Sequence, residues 1–457
     1  MRVQMSIGRI AATCLALAGP AASQSVILEE LYREGTALTP NRTSTFPPTA
    51  GFSLAVDQRS VYEYTFTADL ATETEYTSLV RFDLDGTLAI VDETELIDTA
   101  DGAGFVPLAA DNGDVVFSTL EGELPSVALA GVGLRRADGS TALLTEPGQT
   151  RPGQGQWGVA LVNNIRDDHV LLLDRVQDGF AFDNDGYFMA DISPGGQTRR
   201  IAAVGDLFDG GIVDAVGSAG IGPDGSAALI VFDLDGNSRL VEWTNDSAIT
   251  TIARQGDIGP GGGTYSIFVG QPVWTPEGWV FSARLEGGTI TDGIFLWDGS
   301  TINTLLDGEL MVISAGDGTS NVLYLTLREG NRVVSVIDTA GKVTDVLDTS
   351  NLLDGFEVSL VGFGADAIEN DQVVLGVSLR DVASPADPIV NVAYRALIPA
   401  INPCRADVNR DGSVDSSDFF AWVTAFLAES YPCNQNSDDV CNSSDFFAWV
   451  TVFIDGC

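Results

Sequence analysis

Asp407, Asn409, Asp411, Asp415 and Asp418 stand at positions 1, 3, 5, 9 and 12 of the stretch DVNRDGSVDSSD, with Gly412 at position 6. Side-chain oxygens at alternate places around a tight turn suit a hard cation. Ca2+ takes six to eight oxygen ligands at about 2.4 Å, and a loop of this length delivers them. The glycine takes the sharp turn that a Cβ resists. Ser413 at position 7 is expected to offer its backbone carbonyl, Asp415 to act through a water, and Asp418 to close the shell from the first turn of a helix.

The nine residues SSDFFAWVT that end this pattern, Ser416–Thr424, recur as Ser443–Thr451. The aligned second loop is NQNSDDVCNSSD, with expected ligands Asn434, Asn436, Asp438, the Val440 carbonyl, Asn442 and Asp445. Only two of these, Asp438 and Asp445, are carboxylates, and Asp439 replaces the glycine. Aspartate reaches the left-handed conformation more readily than most residues, but at a cost. The second site is therefore expected to be the weaker. Ca2+ is the only cofactor the sequence implies.

Each loop must be positioned by a helix. Phe419, Phe420, Val423, Phe426 and Leu427 fall at i, i+1, i+4, i+7 and i+8, and Phe446, Phe447, Val450, Phe453 and Ile454 repeat the spacing. Both sets read as apolar stripes through which the two helices pack on each other. Trp422 and Trp449 lie at the margin of these stripes, either as the edge of the core or as surface for a partner.

The duplicated loop–helix pattern resembles a dockerin domain. Cys404 and the terminal DGC (Asp455–Cys457) are similar to the GC-type dockerin of bacterial secreted proteins, and the resemblance covers residues 404–457. It implies a cohesin-like or other cell-surface anchoring protein as partner. Recognition is expected at loop positions 10 and 11, here Ser416, Ser417, Ser443 and Ser444, with Trp422 and Trp449 as further candidates. The degenerate second loop and the pair Cys433 and Cys441 depart from the common pattern. A module this small needs staples. Four cysteines allow three pairings; those favoured are Cys404–Cys457, tying the ends, and Cys433–Cys441, bracketing the weaker loop.

The N-terminus reads as an export signal: Arg2 and Arg9, then the apolar run Ile10–Ala18, then small residues up to a cleavage expected after Ser23. The run is too short to span a bilayer. Export places the chain outside a bacterial cell or on its surface, where disulfides persist. The domain plan is thus a signal peptide at 1–23, a repeat domain at 24–398, a linker at 399–403 and the dockerin-like module at 404–457.

The repeat domain reads as mainly β. Seven landmarks, each a polar turn followed by an apolar strand, begin at Asp57, Asp111, Arg166, Pro223, Pro276, Gly318 and Glu369. The intervals run from 42 residues (276 to 318) to 57 (166 to 223). Four short strands per interval predict a seven-bladed β-propeller, with paired β-sandwiches as the alternative. The last unit stops after a third strand, Ile389–Ile398, so Val26–Arg33 is expected to supply the fourth and close the ring. Uncharacterised tandem-repeat exported proteins are weakly similar to this body.

Composition narrows the function. With 64 acidic against 23 basic residues, a net charge of −41, the chain has nothing with which to neutralise phosphates, so nucleic acid is excluded as partner. Membrane insertion is not expected. FDLDGTL, Phe82–Leu88, looks like the nucleophile motif of haloacid dehalogenase-type phosphatases, with Asp83 as nucleophile and Asp85 as acid. That family needs an α/β fold and a suitably placed lysine, and the single lysine here is Lys342. FDLDG recurs at Phe232–Gly236, as expected of a repeat turn. His169 is the single histidine, which excludes most triads and zinc sites. The catalytic residues, if any, are unknown. The reading is a secreted, non-catalytic propeller displayed or assembled at the cell surface through its calcium-dependent dockerin module, binding a protein or a glycan. The alternatives are a polysaccharide-active hydrolase or lyase delivered by the dockerin, and a structural surface protein.

Overall fold

The apolar runs are short and nearly continuous, as in the buried stretch Val170–Leu173, because both faces of each sheet are covered. A computed structural model describes residues 26–398 apart from short stretches, the longest being 45–53 and 96–107, together with residues 406, 408, 414–427, 435 and 442–455. The signal segment, the linker 399–403, all five cysteines and Asp407, Asn409, Asp411, Ser413, Asn434, Asn436, Asp438 and Val440 lie outside the described residues.

Seven antiparallel sheets are formed among the described residues. In chain order they span residues 37–95, 108–145, 159–203, 207–254, 264–307, 311–348 and 352–397, and are called blades 1 to 7. The strand before the landmark turn of one blade packs on that of the next, as Thr264–Thr275 does on Met311–Gly316, so these strands surround the centre of a seven-bladed propeller. The seven landmark turns each lead into a second strand, from Ser60–Asp69 to Gln372–Asp381.

The core lies between blades. Leu161, Leu171 and Met189 of blade 3 pack with Val213, Leu229 and Val241 of blade 4, and similar clusters fill the other interfaces. The largest joins blades 6, 7 and 1 across the seam where the ring closes. There the N-terminal strand Ile27–Arg33 pairs antiparallel with Val390–Leu397, Ile27 opposite Leu397, as the fourth strand of blade 7. Tyr32 of this strand is buried and stacks on Phe82 of blade 1, centroids 5.3 Å apart. Arg395, buried on the third strand, donates from Nε (3.1 Å) and Nη2 (2.7 Å) to Glu29 Oε2.

Two helices follow the propeller, α1 (Ser416–Leu427) and α2 (Ser443–Asp455). No helix among the described residues is long and apolar enough to cross a membrane.

Candidate functional site

Both helices of the C-terminal module begin in the same way. The Asp415 side chain accepts the Ser417 N–H at 2.7 Å while Asp418 Oδ2 accepts the Asp415 N–H at 2.8 Å. Asn442 Oδ1 accepts the Ser444 N–H (2.7 Å), and Asp445 Oδ2 accepts the Asn442 N–H (2.8 Å). These are reciprocal caps that satisfy otherwise orphaned helix-start donors. The hydrogen bonds from Ser417 hold the Asp415 carboxyl below its usual range. Asp418 and Asp445 are fully buried, and Asp445 Oδ1 also takes the Gln435 N–H at 2.7 Å. Position 12 of each loop thus presents an anchored, buried carboxylate. This donor set is compatible with Ca2+; the remaining expected ligands, other than Asp415 and Asn442, lie outside the described residues.

The packing of the helices differs from the expected stripes. The core is made by Trp422 and Trp449, 5% and 4% exposed, with Phe419, Val423, Phe426, Phe446 and Val450 around them. Trp422 lies 5.3 Å from Phe446 and Trp449 5.7 Å from Phe419, ring centroid to centroid, and the Trp449 indole donates to the Ala406 carbonyl at 3.1 Å. The buried face is therefore i, i+3, i+4, i+7 in α1 and i, i+3, i+4 in α2, where Phe453 at i+7 is exposed, an arc narrow enough to fit one neighbouring helix. Residues i+1 and i+8 turn outward: Phe420, Leu427, Phe447 and Ile454 are exposed. The partner role expected of the two tryptophans is corrected accordingly, since both are interior. Ser416, Ser417, Ser443 and Ser444 are exposed.

Within the propeller, both FDLDG copies lie between paired neighbouring strands, but they are not equivalent; Leu84, Asp85 and Gly86 of the first lie outside the described residues. Asp83 ends the third strand of blade 1 and pairs with Arg81 at 3.0 Å, accepting also from the Ser60 hydroxyl at 2.6 Å. Asp233 ends the second strand of blade 4 and accepts the N–H groups of Asp235 and Asn237. The two turns lie on opposite faces of the ring, so recurrence reflects shared turn chemistry rather than repeat position. His169 opens the second strand of blade 3, and its ring fills the space a Cβ on Gly225 of blade 4 would need.

One constellation was not singled out in the sequence. Asp57 and Asp111 end the strands Leu54–Asp57 of blade 1 and Leu108–Asp111 of blade 2, which pack on each other. Each reaches forward to the next blade's turn. The Gly113 N–H donates to Asp57 Oδ2 at 2.5 Å, and the Asp167 N–H donates to Asp111 Oδ2. In blade 5 Glu277 does the same, accepting from the Ser320 hydroxyl of blade 6 at 3.0 Å. The Asn112–Gly113 turn can receive this clasp because both residues take left-handed conformations, φ 53° and 80°. Asp366 of blade 7 joins the group: its carbonyl accepts the Val56 N–H at 2.9 Å and its carboxyl the N–H of Ala110. Burial, and then the facing acids, push Asp366 well above the carboxylate range; burial raises Asp57, and burial raises Asp111 to about 7. The available signal was that Asp57 and Asp111 open two of the seven landmarks; Asp366 has no motif.

No family model matches the chain, and no curated protein matches it. Among solved structures it is similar to TolB from Acinetobacter baumannii (16% identity, 63% of this chain and 62% of that chain, TM-score 0.35). It is also similar to the β-propeller domain of the Trilobed protease from Pyrococcus furiosus (8%, 78% and 98%, 0.45). A third is the WD40 domain of Toxoplasma gondii coronin (8%, 89% and 92%, 0.40). The chain spans less than two thirds of that TolB chain. The propeller rests on the strand pairing itself, and likenesses this distant say nothing of activity.

Proposed function

We propose that the chain is an exported, non-catalytic propeller held at the cell surface by a calcium-dependent docking module, the dockerin-like pair of loops and helices, and that the ring binds a protein or a glycan. One observation carries this reading. The two helices expose the same stripe: Ser417, Phe420, Thr424 and Leu427 on α1, and Ser444, Phe447, Thr451 and Ile454 on α2. Phe420 and Phe447 are 67% and 68% exposed in a module whose core is already filled by other aromatics. Large apolar side chains left outside a complete core mark an interaction surface. The occupant that fits is a cohesin-like anchoring protein contacting the apolar side chains and the flanking serines.

The test is binding of the full chain to immobilised cohesin modules. Binding is expected in calcium, to be abolished by chelation, and to fall at least tenfold in the Phe420→Ala/Phe447→Ala double variant. Binding indifferent to both treatments, or no binding to any cohesin in calcium, would refute the docking role.

A further inference from the structure

We propose that the ring takes its ligand on the face opposite the landmark turns, and that this ligand is a basic protein segment in which lysine or arginine is interleaved with aliphatic side chains. The inference rests on the reading that the ring is a binding domain, and it does not depend on the docking module.

Strands alternate in direction within a blade. The landmark turns therefore lie on one face of the ring, and the connections between blades, with the hairpins after each second strand, lie on the other. Among the described residues, twelve large apolar side chains of the ring are exposed, and ten of them lie on those connections and hairpins or within four residues of them. The other two, Leu143 and Ile249, belong to the outermost strands of blades 2 and 4. One face thus gathers the exposed apolar surface, as interaction sites do.

Three of the connections are built alike: Gly205-Asp206-Leu207, Gly256-Asp257-Ile258 and Ser350-Asn351-Leu352. In each, the middle N–H donates to the carbonyl three residues back, Asp206 to Ala203 and Asp257 to Arg254 at 3.1 Å and Asn351 to Asp348 at 3.0 Å. In the first two, the aspartate carboxyl accepts the N–H of that same residue, at 2.8 and 2.9 Å, and the glycine takes a φ of 90°. The residue that follows stands in solvent: Leu207 is 74%, Ile258 78% and Leu352 51% exposed. A turn fixed by its own hydrogen bonds presents an apolar side chain with little ordering left to lose on binding.

Charge selects the occupant. Exposed acids stand beside the exposed aliphatics. Asp214 is two residues along the strand from Ile212, Asp235 is next to Leu234, and Glu329 is two residues from Leu327. Glu357 is directly opposite Leu352, and Glu286 and Ile258 both pair with Thr264. These five acids form no ion pair among the described residues, whereas four arginines nearby are taken by other acids: Arg200 by Asp206, Arg239 by Asp233, Arg284 by Asp292 and Arg328 by Asp345. Aliphatics flanked by unpaired acids over four consecutive blades attract a cationic, apolar segment, and repel a second copy of a chain of net charge −41. All ten exposed side chains are aliphatic, a surface that packs on protein side chains rather than stacking on a sugar ring.

Selection of a display library of random short peptides on the immobilised full chain tests this. Enriched peptides are expected to interleave Lys or Arg with Leu, Ile or Val, and to bind more weakly as salt rises. Their affinity should fall at least about tenfold in Leu207→Ser/Ile258→Ser/Leu352→Ser. It should be unchanged in Leu143→Ser/Ile249→Ser and in Phe420→Ala/Phe447→Ala. All the substituted side chains are exposed, so each variant should melt with the wild type. Enriched peptides without that pattern, equal affinity for wild type and the triple variant, or no enriched peptide while a glycan array binds the chain, would overturn the inference and leave the reading of the ring as a binding domain standing. No ligand of either kind would overturn both.

Discussion

Trp422 and Trp449 carry the interior of the helical module, and neighbours one position away from its core set its surface. Trp449→Ala removes a buried indole stacked on Phe453 and bonded to the Ala406 carbonyl, and should cost about 3–5 kcal/mol. Phe420→Ala removes an exposed ring and should change stability by no more than about 0.5 kcal/mol. Exchange protection across α1 and α2 in the full chain separates the two; equal losses would contradict the assignment of faces. At this scale the sequence was partly legible. The capping acids Asp418 and Asp445 could be read from their spacing, because a loop leading into a helix is a local pattern. Which of two adjacent aromatics faces inward depends on the neighbouring helix, and no single stripe reports it. Asp57, Asp111 and Asp366 are joined only by the ring, so nothing local marks them as a group.

At the scale of elements, the strand Ile27–Arg33 is the piece on which closure depends. It covers the edge of Val390–Leu397, buries Tyr32 and supplies the partner of the buried Arg395. Deleting residues 24–33 should lower the melting temperature sharply, because it exposes a sheet edge and leaves Arg395 without Glu29. Glu29→Gln should be milder, about 1–3 kcal/mol, since it weakens only the charge-assisted bonds. A deletion variant that melts with the intact chain would show that the ring does not need this strand. Closure was legible because the last unit lacks a fourth strand and Val26–Arg33 stands unclaimed before the first blade. The two FDLDG turns misled for a physical reason. An aspartate suits the end of any hairpin strand, capping its own turn as Asp233 does or pairing with neighbouring side chains as Asp83 does, so the motif does not identify a place in a blade.

The whole molecule joins a seven-bladed ring to a duplicated loop–helix module in a chain of net charge −41. An acidic surface draws divalent cations, and two loops with buried acids at position 12 lie at its C-terminal end. The blade number was legible because each blade spends one polar turn before its most buried strand, and the seven turns survive the drift of the rest. What the ring binds was not legible, because binding faces are assembled from turns of different blades. The calcium that the docking proposal requires should be held by unequal loops: four carboxylates and a glycine in the first, two ligand carboxylates and Asp439 in the second. Calorimetric titration of the calcium-stripped full chain is the most direct test of that requirement. It should give two unequal sites, or one filled site, with the tighter lost in Asp407→Ala and nearly unchanged in Asn434→Ala. Two equal sites, or no calcium-dependent heat, would contradict it.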